Sequence, residues 1–233
     1  MSLFKIPLLL LNAGGLLVSH AFSFPPPPVV EVRYPRRKSE RFLHAALPAI
    51  TLFTPAIFLL ETIVIVLNQI RGPPRRLASV LILSSTPESL HTSTAFVLGT
   101  LIICMAAILR YACQKDLGRL YTNELTIRTN HKLIVNGRYS FVRHPGYTSW
   151  LITELGLLIV FSARGSWITE SGVLDMGIGK TVAGLYLLVF AMADTLLLVK
   201  RIPREEGLLK KEFGKDWSDY KRRVPWKLIP GGY

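Results

Sequence analysis

Between His131 and Tyr147 the chain reads HKLIVNGRYSFVRHPGY, and this segment gathers histidine, arginine and tyrosine around a turn and a proline. Asn136-Gly137 makes a turn, and Pro145 stands where an apolar helix would begin, a place that suits a residue without an N–H. A helix opening there aims unpaired N–H groups and a partial positive charge outward. With Arg143 and His144 beside it, a carboxylate or phosphate could dock. Read alone, the segment is equally a basic flank with interfacial tyrosines at the end of a membrane helix.

A second block opens with Arg201-Ile202-Pro203-Arg204-Glu205-Glu206 and runs through Phe213-Gly214 and Tyr220 to Pro225. Arg201 and Glu205 are four apart, so on a helix they share a face, either as part of a site or as a surface ion pair. Pro203 is expected to break the preceding helix and start a short new one. Other chemistries lack their signatures. No GxGxxG follows a strand pattern, and Gly177-Ile178-Gly179-Lys180-Thr181 fails the phosphate-loop spacing because Leu174 stands where the first glycine belongs. HExxH, GxSxG and carboxylate clusters of metal-site spacing are absent, and Cys104 and Cys113 form no zinc pattern. No metal is expected.

These blocks must be held by apolar elements. Of 233 residues 50% are hydrophobic and 18% charged, which excludes disorder. The uncharged run Leu90 to Leu109 is long enough to cross a bilayer as a helix. Five stretches can cross: about Ile6 to Phe24, Phe42 to Gln69, Leu90 to Leu109, Tyr147 to Ala163, and Thr181 to Val199. The second contains Pro48 and Pro55, which would kink it, and is counted once. The expected fold is an all-α membrane protein of about five transmembrane helices, with a cytosolic pocket formed by the loop before the fourth helix and the segment after the fifth. Residues 1–109 would hold three N-terminal spans and a stiff Pro25 to Pro28 connector. Residues 110–233 would hold two further spans, the chemistry and a basic tail.

The net charge of +13 would suggest nucleic acid in a soluble chain, but most basic residues border apolar runs, so no nucleic-acid partner is expected. The first run also fits a signal peptide, with Lys5 before an apolar core and Ser19 and Ala21 at a cleavage position. Charge argues for retention. A retained first helix places Pro25 to Arg41, Arg110 to Arg143 and the basic tail in the cytosol, and only Arg71, Arg75 and Arg76 disagree. Glu61, Glu154 and Asp194 lie inside apolar runs, where acids either line a polar tunnel or bond between helices.

Together the two blocks, RHPGY followed by the paired-glutamate segment and Phe213-Gly214 to Tyr220, resemble the isoprenylcysteine carboxyl methyltransferase family of membrane enzymes. The resemblance covers about Arg110 to Pro230. It implies S-adenosylmethionine held by both blocks without a Rossmann domain, and an acceptor entering from the lipid. By position it implies cofactor contacts at His131, Lys132, Leu133 and Ile134, at Tyr139, at His144, Pro145, Gly146 and Tyr147, and at Glu205. Glu124 would be a further contact, although it stands where an uncharged amide is expected. Arg201 falls at the position that orients the acceptor carboxylate, and Ser149 replaces a common glycine. The implied reaction methylates the α-carboxylate of prenylcysteine on CaaX-derived protein C-termini, in the membrane of the endoplasmic reticulum.

The inventory fits that chemistry. A C-terminal carboxylate is ionised at neutral pH, so attack on a methyl sulfonium needs alignment and dehydration but no general base. A phospholipid amine acceptor must first lose a proton, and the cation Arg201 suits it poorly. A non-catalytic scaffold or transporter using Glu61, Glu154 and Asp194 leaves both blocks unexplained.

Overall fold

The structure is a computed structural model that describes residues 3–20, 32–33, 38–70, 72–82, 89–122, 125–128, 130–187 and 195–232; Pro25 to Pro28, Glu124 and Asp194 lie outside the described residues. The described chain is mostly helical. In order it forms α1 (Lys5–His20), β1 (Val32–Arg33), α2 (Lys38–Gln69), α3 (Pro73–Val80), α4 (Thr94–Leu117), β2 (Thr126–Ile127), α5 (Pro145–Ser162), α6 (Trp167–Glu170), α7 (Gly177–Leu187) and α8 (Thr195–Arg223). Three helical stretches among the described residues are long and apolar enough to cross a membrane, namely Thr51–Gln69, Thr94–Leu120 and Pro145–Glu170, and Lys5–Ser19 is a shorter apolar helix. The expected fifth run is divided between α7 and α8, with residues 188–194 outside the described set.

Helix boundaries follow local chemistry. Ser93 caps α4 by accepting from the Phe96 N–H, so this helix begins four residues after the start of its apolar run. Pro145 is the first residue of α5, as its missing N–H predicts. α2 is one helix of 32 residues that includes Pro48 and Pro55. Pro203 corrects the expectation of a break, because α8 passes through it and bends instead at Gly214 (φ 49°, ψ −107°). A proline removes one hydrogen bond from a helix, whereas a positive φ turns the chain out of the helical path, and glycine has no Cβ to oppose that.

The core joins α1, α2, α4 and α5 through Leu9, Leu16, Phe58, Ile65, Phe96, Ile103, Leu157 and Val160, all buried. α4 and α5 approach closest at two glycines. A Cβ on Gly99 would lie 2.6 Å from Val160 Cγ2 and 3.0 Å from the Gly156 carbonyl, and one on Gly156 would lie 2.7 Å from Ile103 Cγ1 and 3.1 Å from the Gly99 carbonyl. Small residues let backbones touch in this way, which is how helices associate in lipid, where burial against lipid tails gives no hydrophobic drive. Gly156→Ala should therefore cost about 1–3 kcal/mol of overpacking, read as a lower unfolding midpoint in detergent. A midpoint equal to that of the unaltered protein would contradict this contact.

An antiparallel ladder pairs Val32 with Ile127 and Arg33 with Thr126. It places the α1–α2 connection beside the α4–α5 connection, at one end of the bundle. Lys5 lies at the other end, fully buried, 2.5 Å from Glu61 Oε1 and 2.6 Å from the Gly165 carbonyl. Glu61 also accepts the Trp167 N–H at 3.1 Å, so this acid bonds between helices. Glu154 is buried on α5, within electrostatic range of Tyr186.

Candidate active site

The segment RHPGY enters α5 under tight control. The Arg143 and His144 N–H groups donate to the carbonyls of Trp226 (3.0 Å) and Lys227 (2.9 Å). The buried Arg143 guanidinium donates from Nε to Glu206 Oε1 at 2.8 Å, and from Nη1 to the carbonyls of Val224 (2.7 Å) and Pro225 (2.6 Å). This corrects the expectation that Arg143 joins His144 in docking an anion, since the guanidinium is buried and its Nε and Nη1 donors are committed to protein acceptors. Burial pushes the Glu206 carboxyl up, but the close approach of His144 Nε2 at 3.4 Å and the bond and charge of Arg143 outweigh it and hold the group at about 2.

The two polar blocks meet at His144 and Tyr147. Their rings stack with centroids 5.4 Å apart. The Tyr147 hydroxyl donates to Glu205 Oε2 at 2.5 Å, and His144 Nδ1 lies 3.8 Å from Glu205 Oε1. On the same face of α8, one turn earlier, the Arg201 guanidinium carbon lies 6.0 Å from the centre of the Tyr147 ring. Arg201 and Glu205 therefore share a face of α8, as their spacing predicts, and Tyr147 lies beside that face, bonded to Glu205 and near Arg201. The Glu205 side chain keeps 31% of its surface exposed, so its carboxylate borders open space, unlike that of Glu206.

Bending α8 at Gly214 folds its last turns onto the other half of the first block. Trp217, Tyr220 and Val224 pack with Leu133, Val135, Leu209 and Phe213. His131 sets its ring 5.7 Å from that of Phe213, and Tyr220 donates to the Tyr139 carbonyl at 2.7 Å. The Tyr139 hydroxyl lies in electrostatic range of Glu205 and Arg110, and burial raises it well above its usual value. The structure thus brings together His144, Pro145, Gly146, Tyr147, Arg201 and Glu205, with Tyr139 in electrostatic range, while His131 and Leu133 pack against the later turns of α8. Ile134 is half-buried beside them in sequence, Lys132 is exposed, and Glu124 lies outside the described residues.

Sequence reasoning missed Arg110. This buried residue donates to the Gly146 carbonyl at 2.9 Å, with its guanidinium carbon 5.4 Å from the Tyr121 ring centre and 5.6 Å from that of Trp150. At the end of an apolar run an arginine looks like any other flanking charge. Glu206 was also missed as a partner of Arg143, although the paired glutamates were its signal.

Chemically, the site offers a partly exposed carboxylate, two stacked rings and a guanidinium close together. A sulfonium cofactor fits this set, because its positive charge finds Glu205 and the faces of Tyr147 and His144. Among known proteins, residues 97–170 match the family model described as Isoprenylcysteine carboxyl methyltransferase (ICMT) family. The chain is 30% identical over 129 residues to Protein-S-isoprenylcysteine O-methyltransferase B of Arabidopsis thaliana, covering 54% of this chain and 55% of the relative. It is 28% identical over 145 residues to the Protein-S-isoprenylcysteine O-methyltransferase of Dictyostelium discoideum, covering 61% and 52%. It is also 32% identical over 105 residues to Delta(14)-sterol reductase TM7SF2 of Mus musculus, covering 45% of this chain and 21% of that protein. The chain spans about half the length of the methyltransferases it matches. Residues 97–170 are thus similar to the isoprenylcysteine carboxyl methyltransferase family, the family that the two motif blocks resemble.

Proposed function

We propose that this chain is a membrane methyltransferase that uses S-adenosylmethionine to esterify the α-carboxylate of a prenylcysteine at a protein C-terminus. The observation that carries the reading is the meeting of the two blocks, in which Glu205 of α8 takes the Tyr147 hydroxyl and lies beside His144, with Arg201 on the same face. When bound, the cofactor supplies a methyl group on a cationic sulfur. Glu205, Tyr147 and His144 would hold that cation, Tyr139 would close the pocket, and Glu124, Lys132 and Ile134 would complete the contacts. Arg201 would fix both oxygens of the acceptor carboxylate in line with the methyl carbon. The cofactor would supply its methyl group to an acceptor oxygen held by Arg201 and would leave as a neutral thioether. The acceptor is already ionised, so Arg201 and the surrounding rings need only align it and exclude water. The site would face the cytosol at the endoplasmic reticulum, where the basic loops also belong.

Methyl transfer is favoured over the reductase chemistry of the sterol-reductase relatives because the methyltransferases are matched over about half their length, against about a fifth for the mouse reductase. The decisive assay offers labelled S-adenosylmethionine with a farnesylated cysteine analogue, a phosphatidylethanolamine and no acceptor in parallel. Base-labile label on the prenylcysteine supports the reading, and label on the amine alone or on neither overturns it.

Arg201→Lys isolates the acceptor end. A point charge cannot fix two oxygens as a planar guanidinium does, so the variant should lose about 1.5–3 kcal/mol of transition-state stabilisation, roughly ten- to a hundredfold or more in rate. Cofactor affinity should survive. Near-normal turnover would reduce Arg201 to a charge marking the end of a helix.

A further inference from the structure

Five consecutive backbone carbonyls, from Val224 to Leu228, all accept from the segment Arg143 to Thr148. Val224 and Pro225 take the two bonds from Arg143 Nη1, and Trp226 and Lys227 take the Arg143 and His144 N–H groups. Leu228 takes the Thr148 hydroxyl at 2.7 Å. Val224 and Leu228 are buried at either end of this run, so it is pinned by apolar side chains as well as by hydrogen bonds. On its other side the Arg143 guanidinium is fixed to Glu206, one residue beyond Glu205. Arg143 thus ties three parts of the chain together: the entrance to α5, the middle of α8 and the segment after α8.

The geometry of His144 depends on this tie. Its backbone (φ −128°, ψ 57°) is neither helical nor regular strand, and no side chain caps α5. What holds it is the bond from its N–H to Lys227 and the neighbouring bonds of Arg143. Only in this pose does its ring stack on Tyr147 and bring Nδ1 to 3.8 Å from Glu205.

We propose that Arg143 and the segment 224–228 are positioning elements of the active site: Arg143 touches neither cofactor nor acceptor, and the C-terminal segment is a strap that sets the pose of His144 through it. The proposal deepens the methyltransferase reading and rests on it for the consequence in catalysis, while the strap itself is measurable without any ligand. A lysine at 143 keeps the charge opposite Glu206 but cannot reach the carboxylate and two carbonyls together from one planar fork. The strap makes most of its bonds from backbone carbonyls, so its action is independent of the side chains at 225 to 227 and dependent on the chain being there.

The test uses hydrogen exchange and binding on the full chain in detergent, on Arg143→Lys and on a chain ending at Val224. In the full chain the amides of Arg143 and His144 should be protected. In both variants they should exchange at least tenfold faster, while the amides of α4 between Gly99 and Ala107 stay unchanged and show that the bundle is folded. Arg143→Lys should also weaken S-adenosylmethionine binding tenfold or more in calorimetry, with the KM for a prenylcysteine acceptor within twofold of normal. If the truncated chain fails to fold, Arg143→Lys carries the test alone. Unchanged amide protection in Arg143→Lys overturns the strap, and a raised acceptor KM with normal amide protection would make Arg143 a ligand-binding residue instead. If the unaltered protein binds no S-adenosylmethionine, the methyltransferase reading fails, and the exchange data still decide the strap.

Discussion

Lys5→Met is expected to destabilise the helical bundle by about 3–5 kcal/mol, the usual cost of removing one partner from a buried ion pair. Lys5 has no exposed surface, and its ammonium lies 2.5 Å from Glu61 Oε1, 2.6 Å from the Gly165 carbonyl and 4.2 Å from the centre of the Phe96 ring. Methionine matches the length of the lysine stem and keeps its packing, so the loss isolates the charge. What remains is Glu61, 2% exposed, with the Trp167 N–H as the hydrogen bond the structure gives it. The double variant Lys5→Met/Glu61→Gln should recover most of the loss, because a neutral amide at 61 can still accept from Trp167 and leaves no buried charge. Unfolding midpoints of the four proteins in detergent give the coupling directly. Additive losses, or a Lys5→Met protein as stable as the unaltered one, would mean that the pair does not hold α1. The same pair decides between the two readings of Glu61, since an acid that takes the Lys5 ammonium and the Trp167 N–H in a closed core is not a lining for a tunnel.

The sequence discloses those features that a single side chain controls. Pro145 marks the start of α5 because a residue without an N–H fits best where no helical acceptor waits for it. Arg201 and Glu205 fall on one face because a helix repeats nearly every four residues. The convergence of RHPGY on the glutamate pair was legible through the family resemblance, and the Tyr147 to Glu205 bond is its physical form. The strap had no comparable signal, since its acceptors are backbone carbonyls that any residue supplies. Arg143 looked like an anion ligand because unspent donors and committed donors have the same sequence. Pro203 looked like a break, and the chain bends instead at Gly214, where the Trp217 and Tyr220 rings gain a buried seat against Leu133 and Val135. The role of Lys5 had no signal, because nothing near it in the chain announces a partner 56 residues away.

Glu206 gives the second large effect, and it is a pH effect of definite sign. In the fold its carboxyl is held at about 2, against an ordinary value of 4.5. Burial works against this, and the His144 and Arg143 interactions more than reverse it. A group whose folded value is depressed contributes stability above its unfolded value, and loses it as protons return. The contribution of Glu206 is therefore complete above about pH 4.5 and drains away between there and about pH 2. At 1.36 kcal/mol per pH unit the whole is up to roughly 3 kcal/mol. Other carboxylates titrate in the same window, so the measurement is a difference: unfolding of the unaltered protein and of Glu206→Gln, compared from pH 7 down to pH 2. The gap should be widest and flat at neutral pH, begin to close below pH 4.5 and be largely gone near pH 2 to 3. Arg143→Lys should narrow the gap at pH 7, because lysine at 143 cannot reproduce the bond from Nε together with the two to the carbonyls. A gap that stays constant across the acid range would mean that Glu206 titrates like an ordinary surface acid, and the joint it forms with Arg143 would then contribute nothing to holding α8 against the entrance of α5.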